Sequence, residues 1–280
     1  MMDLEDHAYL VSFVGTQQLV IEDGPLLDWA EENGVSPNEA VLEVLDRKII
    51  PLRYLKNFDS LDCTGQRRLC ESRVFICGCG GLGGILIELM ARSGVGHLRL
   101  ADADVFAPSN LNRQLLSEFG NISQKKALVA AERARAVNPL IEVEVFPVRV
   151  DEGNINVMIE GVDLVLDALD NLAGRFLLAE SARRSEIPFI HAAVAGWWGQ
   201  ISTFLPQSVS DLKMIYGNRQ MRDSGEDSVG VLGPTAAVIG SMEAMEAIRL
   251  LSGKAPAYAE QLLYFDGESG RMEVMPLHPL

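Results

Sequence analysis

The sequence predicts an α/β fold: a doubly wound, mainly parallel sheet with an antiparallel C-terminal extension and a small N-terminal helical appendage. Three observations carry this. From residue 73 onward, short apolar runs alternate with helical patterns, the βαβ rhythm of a parallel sheet. The first of these runs ends in Gly78-Cys79-Gly80-Gly81-Leu82-Gly83, a glycine turn opening a helix. After residue 192 the rhythm breaks, because Gly196-Trp197-Trp198-Gly199 leaves too short a path for a helical crossover.

Residues 1–60 are read as the helical appendage. Gly24-Pro25 starts a short helix that Gly34 can end. Ser36-Pro37-Asn38-Glu39 is a capping box with proline at the first helical position, and Ala40, Val41, Val44 and Leu45 give the next helix an apolar face. Residues 61–280 form the second unit, with the Rossmann-like order of a nucleotide-binding domain. Its strands are expected at 73–78, 97–102, 141–146, 162–168 and 187–192, with helices at 82–93, 125–137 and 172–184 between them. The nearly unbroken apolar run at 162–168 fits a central parallel strand. A strand at 200–205, a polar stretch over 206–228, a helix at 234–252 and two strands at 261–266 and 271–276 close the chain.

Composition excludes several classes. With 280 residues, 48% hydrophobic and 22% charged, the chain suits a globular enzyme. A net charge of −15 argues against nucleic acid as partner. Residues 1–62, with 13 acidic and 4 basic residues, hold most of that charge, so the appendage is acidic. This leaves it readable as a packing or dimerisation element, or as a docking surface for a basic partner. No run approaches the ~20 apolar residues of a membrane span, and no signal peptide opens the chain. Cys63, Cys70, Cys77 and Cys79 follow neither zinc nor disulfide spacing, and read as reduced thiols of a cytoplasmic protein.

The glycine turn assigns roles by position. Gly78 permits the tight turn, Gly80 and Gly81 let the backbone approach a phosphate, and Gly83 lets the helix pack on its strand. The helix start offers free N–H donors to an anion. Asp102 and Asp104 follow one helix and one strand later, where an acid would hold ribose hydroxyls. Taken alone, this pattern defaults to NAD. Beyond the acids, however, come Ser109-Asn110-Leu111-Asn112-Arg113-Gln114, then Lys126, then Asp170-Asn171 and Arg175. His191, on an apolar strand, reads as a core histidine, and Trp197-Trp198 as packing residues.

On these motifs the sequence resembles the ThiF/MoeB/HesA family, the prokaryotic relatives of ubiquitin-activating enzymes. The resemblance extends from about Arg53 to the last strand. It also includes Ser-Gly-Val-Gly-His-Leu at 93–98, Val-Asn-Pro at 137–139 and Ile-Gly-Ser-Met-Glu-Ala-Met-Glu-Ala at 239–247. It implies an adenylation domain that uses ATP to activate the C-terminal glycine carboxylate of a small ubiquitin-like sulfur-carrier protein ending in Gly-Gly. Arg113 and Lys126 would contact the triphosphate, Asp170 would be the Mg²⁺-associated carboxylate, and Asp102 would hold the ribose. Asn110, Gln114, Asp104 and Asn171 would line the nucleotide, though Asp170-Asn171 also suits a helix cap. The family motif Arg-Tyr-x-Arg-Gln/Asn stands here as Arg53-Tyr54-Leu55-Lys56-Asn57. Its second arginine reaches a neighbouring subunit's ATP site, so a homodimer is expected, with Lys56 or Arg53 making that contact.

Two departures narrow the expectation. Where many relatives carry Cys-x-x-Cys pairs, residues 211–216 and 275–278 contain no cysteine, so no structural zinc is expected. The position of the thioester or persulfide cysteine falls at about Glu226, which has no thiol. The reaction should then stop at the acyl-adenylate. Other readings remain open: a different acceptor (a small carboxylate, a peptide terminus or a tRNA base), a nucleotide-binding partner without turnover, or an NAD dehydrogenase.

Overall fold

A computed structural model describes residues 3–217 and 230–277 of the chain; Glu226 and its neighbours lie outside the described residues. Strands β1 (Tyr9–Phe13) and β2 (Thr16–Ile21) form a hairpin that turns at Val14-Gly15, both at positive φ. Helix α1 (Asp23–Asn33) ends at left-handed Gly34, and α2 (Pro37–Asp46) starts with the complete Ser36–Glu39 capping box. Strand β3 (Ile50–Pro51) then pairs in parallel with β2. The expectation of a purely helical appendage is therefore corrected, since a three-stranded sheet accompanies the two helices. Only the far end of β2 is buried, at Val20 and Ile21, and the rest of the hairpin is solvated, so apolar periodicity barely marks it.

Helix α3 (Phe58–Glu71) leads into the main sheet, and Cys70 and Leu140 complete a core with Leu26, Val41, Val44 and Tyr54 of the first segment. That sheet has eight strands in the order β11-β10-β9-β8-β7-β4-β5-β6. Strands β4 (Arg73–Cys77), β5 (His97–Ala101), β6 (Glu142–Phe146), β7 (Leu164–Asp167) and β8 (Phe189–Ala195) are parallel. Strands β9 (Trp198–Phe204), β10 (Gln261–Asp266) and β11 (Arg271–Pro276) extend it antiparallel.

The central strands β4 and β7 bury both faces. Val74, Ile76, Leu164 and Leu166 pack under α4 (Gly81–Ser93), α5 (Lys126–Val137) and α9 (Gly233–Leu251). Phe75, Cys77 and Val165 face the short α6 (Ile155–Ile159), α7 (Leu172–Arg184) and the short α8 (Leu212–Tyr216). The chain winds from β4 through β5 to β6, then returns to place β7 on the other side of β4. The crevice at the C-terminal ends of β4 and β7 is thus the topological switch point, where α/β sheets bind ligands. Among the described residues, no helix is long and apolar enough to cross a membrane.

Candidate active site

Steric demand explains the glycine turn between β4 and α4. Gly78 has φ +101°, and a Cβ there would lie 2.5 Å from the Ala168 carbonyl oxygen. A Cβ on Gly83 would stand 1.8 Å from the Gly78 carbonyl oxygen, so the helix closes on its strand only without one. Gly80 and Gly81 differ, because an added Cβ would meet nothing nearer than 3.4 Å. Steric exclusion does not by itself demand glycine at these two positions.

Asp102 follows β5 and ties that strand end to the turn. Its Oδ2 accepts the Cys79 N–H at 2.7 Å and its Oδ1 accepts the Asp104 N–H at 2.8 Å. Asp104 is exposed and pairs with Lys126 Nζ at 3.1 Å, while the lysine side chain is itself only 9% exposed. A cation at the first position of α5 opposes the helix dipole, and Asp104 offsets that.

The segment 107–114 folds over the turn. Asn110 is buried and its Oδ1 accepts the Ala107 N–H at 2.9 Å, so its carboxamide shapes the loop. Arg113 is half-buried, and its Nη1 donates to the Ser109 carbonyl at 2.8 Å and to Asn112 Oδ1 at 2.9 Å. Gln114 is buried against Gly80, and its Oε1 has no hydrogen-bond partner among the described residues. An acceptor left without a partner calls for a donor, which a ribose hydroxyl or a base amino group would supply, whereas the anionic phosphates of a nucleotide would need the cations Arg113 and Lys126.

Asp170 is exposed at the end of the loop leaving β7. Asn171 caps α7, its Oδ1 accepting the Gly174 N–H at 2.9 Å. Among the described residues, no group of three or more His, Cys, Asp or Glu could hold a metal. A single carboxylate suits Mg²⁺, which keeps several waters and takes most of its other ligands from phosphate.

The structure thus brings Asp102, Arg113, Gln114 and the loop of Asp170 to the glycine turn, with Lys126 one ion pair away through Asp104. Arg53 and Lys56 are engaged elsewhere. The Arg53 guanidinium forks onto Asp23 of α1 and donates to the Val137 carbonyl at 3.1 Å. Lys56 Nζ sits 4.6 Å from the ring centroid of Phe13. Burial pushes the Cys77 and Cys79 thiols well above the usual thiol range, with the neighbouring acids adding to the effect. Neither is a nucleophile. Trp197 and Trp198, read as packing residues, are 49% and 45% exposed at the β8–β9 turn.

His191 is a buried core histidine, as its apolar strand suggests, but sequence reasoning missed the polar network around it, behind the site. Asp167 and Arg175 form an ion pair at 3.1 Å, and His191 Nδ1 lies 2.7 Å from Asp167 Oδ2. Tyr216 Oη and Gln200 Nε2 face His191 Nε2 at 3.0 and 3.2 Å. One signal was readable: an aspartate closing the apolar run of β7, in register with a histidine of β8.

Comparison with known proteins identifies the family and the fold. The family model described as "ThiF family" matches residues 53–279. The SAMP-activating enzyme E1 of Haloferax volcanii is 34% identical over 228 residues, covering 80% of this chain and 84% of that protein. The sulfur carrier protein ThiS adenylyltransferase of Escherichia coli is 33% identical over 230 residues, covering 81% of this chain and 91% of that protein. In fold alone, the crystal structure of PaaA superposes with TM-score 0.69 at 17% identity, over 98% of this chain and 100% of that one. A match that begins at the Arg-Tyr-x-Lys-Asn segment and runs through every strand of the large sheet leaves one conclusion: the chain belongs to the ThiF family.

Proposed function

We propose that this protein is an adenylyltransferase. It uses ATP and Mg²⁺ to activate the C-terminal glycine carboxylate of a ubiquitin-like sulfur-carrier protein ending in Gly-Gly, and it releases pyrophosphate. The observation that carries this reading is the meeting of the glycine turn, Asp102, Arg113, Gln114 and the Asp170 loop at one switch point, next to Lys126. Relatives over about four-fifths of the chain are adenylyltransferases and activating enzymes of sulfur carriers and SAMPs, which supports the same chemistry here.

The reaction needs no general base, since an α-carboxyl group with a pKa of about 3.5 is already ionised at neutral pH. Its obstacle is bringing one anion onto the α-phosphorus of another. The Arg113 guanidinium and Lys126 ammonium supply fixed positive charge, and Asp102 and the Gln114 carboxamide orient the ribose and base side of the nucleotide. Asp170 would hold Mg²⁺, which when bound shields the phosphate charge and draws off the leaving pyrophosphate. Positioning and preorganised electrostatics account for the rate in such a site.

The homodimer belongs to this proposal, with Lys56 as the residue offered to the partner's site, because Arg53 is committed to Asp23. The four cysteines all lie between residues 63 and 79, which supports a product that ends at the acyl-adenylate and a fold built without structural zinc. The test is ATP–pyrophosphate exchange with purified Gly-Gly-terminated sulfur carriers. Exchange that depends on both carrier and Mg²⁺ is expected. No exchange and no acyl-adenylate with any such carrier would overturn the reading.

A further inference from the structure

The loop that carries Asp170 is held from beneath by charges that the phosphate chemistry does not use. Asp167 is fully buried and Arg175 nearly so. The Leu169 N–H donates to Asp167 Oδ1 at 3.0 Å, and the Leu169 carbonyl accepts from Arg175 Nη2. One ion pair therefore grips both backbone polar groups of the residue immediately before Asp170. Arg175 Nη1 donates to Asp167 Oδ2 at 3.1 Å and to the Ala192 carbonyl of β8, and lies 3.2 Å from His191 Nδ1.

The rest of the network has a direction. Asp167 Oδ2 accepts and, at 2.7 Å, lies nearer His191 Nδ1 than the donor Arg175 Nη1 does at 3.2 Å, so the shorter contact assigns the hydrogen to Nδ1 and leaves Nε2 as the acceptor. Tyr216 Oη lies 3.0 Å from that nitrogen, and Gln200 Nε2 donates to Tyr216 Oη at 2.7 Å. Hydrogen bonds run from Gln200 through Tyr216 and His191 to Asp167, and Arg175 meets them from the other side. Burial, with the Arg175 charge beside it, holds the His191 pKa below its ordinary value against the pull of Asp167.

Stability is a poor reason for this arrangement. Burying two ions costs several kcal/mol each, and apolar replacements of such pairs are often as stable. A fully connected polar network does, however, select one geometry. The geometry selected here is that of the loop 168–170, which also closes on the glycine turn, where a Cβ on Gly78 would strike Ala168.

We propose that Arg175, with Asp167 and His191, is a positioning residue that fixes the Leu169-Asp170 peptide so that the Asp170 carboxylate meets the phosphate-bound metal. The inference rests on the reading of Asp170 as the metal-associated carboxylate. Ligand-orienting neighbours of this kind change metal affinity about 10–100-fold when altered.

The test is Mn²⁺ binding, followed by electron paramagnetic resonance, to the full chain saturated with α,β-methylene ATP. Affinity for the analogue without metal is measured in parallel by calorimetry. Arg175→Lys keeps the charge but cannot span Asp167 and Leu169 together. It is expected to weaken Mn²⁺ binding about tenfold while leaving metal-free nucleotide affinity unchanged. Asp170→Asn should weaken Mn²⁺ binding at least as much. Wild-type Mn²⁺ affinity in Arg175→Lys, beside a weakened Asp170→Asn, overturns the positioning role alone. Wild-type affinity in Asp170→Asn overturns the reading of Asp170 and the inference with it. Should Arg175→Lys not fold, Tyr216→Phe decides: an expected shift of about threefold supports the network, and no shift overturns it.

Discussion

Arg113 and Lys126 supply the same charge but are held differently. Lys126 is buried and already paired with Asp104, whereas Arg113 donates to a carbonyl and a carboxamide oxygen. On the proposed reading, Arg113 is the cation whose charge is not already offset by a carboxylate within the fold. Arg113→Ala is expected to lower carrier-dependent exchange by about 10²–10³-fold, with the circular dichroism spectrum unchanged. A rate within a few-fold of wild type would remove Arg113 from the site. Glu243, on α9, permits a prediction about pH. It is fully buried, and burial, reinforced by the charge of Asp167, pushes its pKa well above the ordinary glutamate value against the smaller pull of Arg175 and of the Asp167 backbone. Unfolded, it ionises in the ordinary range; folded, it keeps its proton. The folded state thus binds more protons as pH rises through that interval, and stability falls by about 1.4 kcal/mol per pH unit for the one proton. Glu243→Gln cannot ionise, so its Tm advantage over wild type should widen from about pH 5 to about pH 7. A constant difference would show that Glu243 ionises normally in the fold. At this scale the sequence announced the residues whose position follows from a strand end, such as Gly78, Asp102 and Asp170. It did not announce partners such as Asp167 with Arg175 and Gln200 with Tyr216, which tertiary packing alone brings together.

At the start of helix α7 the observed cap and the proposed metal-associated carboxylate are adjacent residues. Asn171 caps the helix through Gly174, while Asp170 stands outside the cap with its carboxylate exposed. Removing the cap should cost about 1 kcal/mol. Asn171→Ala is accordingly expected to lower Tm, while Asn171→Ser, which can still cap, should retain both Tm and exchange. Loss of exchange in Asn171→Ser with Tm intact would instead place Asn171 against the nucleotide. Elements were legible wherever burial imposed a period. The runs 73–78 and 162–168 are apolar because β4 and β7 bury both faces, and both appear as expected. The capping box of α2 was equally plain. The β1–β2 hairpin was not, since its burial is confined to Val20 and Ile21 and its polar residues reflect solvent rather than strand period. The short helices α6 and α8 escaped for a related reason: one turn is too short for a 3.6-residue repeat to declare itself.

For the whole molecule, the appendage decides how the two basic residues of the Arg53–Asn57 segment are used. Asp23 of α1 takes Arg53 out of contention by a bidentate ion pair, and Val137 of α5 accepts its remaining nitrogen. Lys56 stands over a ring face, Phe13 of the hairpin, and an ammonium over phenylalanine is worth about 0.5–1 kcal/mol at an exposed site. A phosphate would compete successfully for it. If two copies share their sites, each glycine turn needs Lys56 from the opposite copy. Lys56→Ala and Arg113→Ala homodimers should then both be poor enzymes, because every site lacks one cation. Mixing them under conditions that exchange subunits creates heterodimers in which one site is complete and the other lacks both residues. Random pairing makes half of the dimers hybrid, so recovery of about a quarter of wild-type exchange is expected. Recovery would require both a dimer and a contact in trans, since no monomer and no contact in cis can complement this pair. Absence of recovery, with subunit exchange verified by mass spectrometry of differently labelled chains, would confine each site to a single copy.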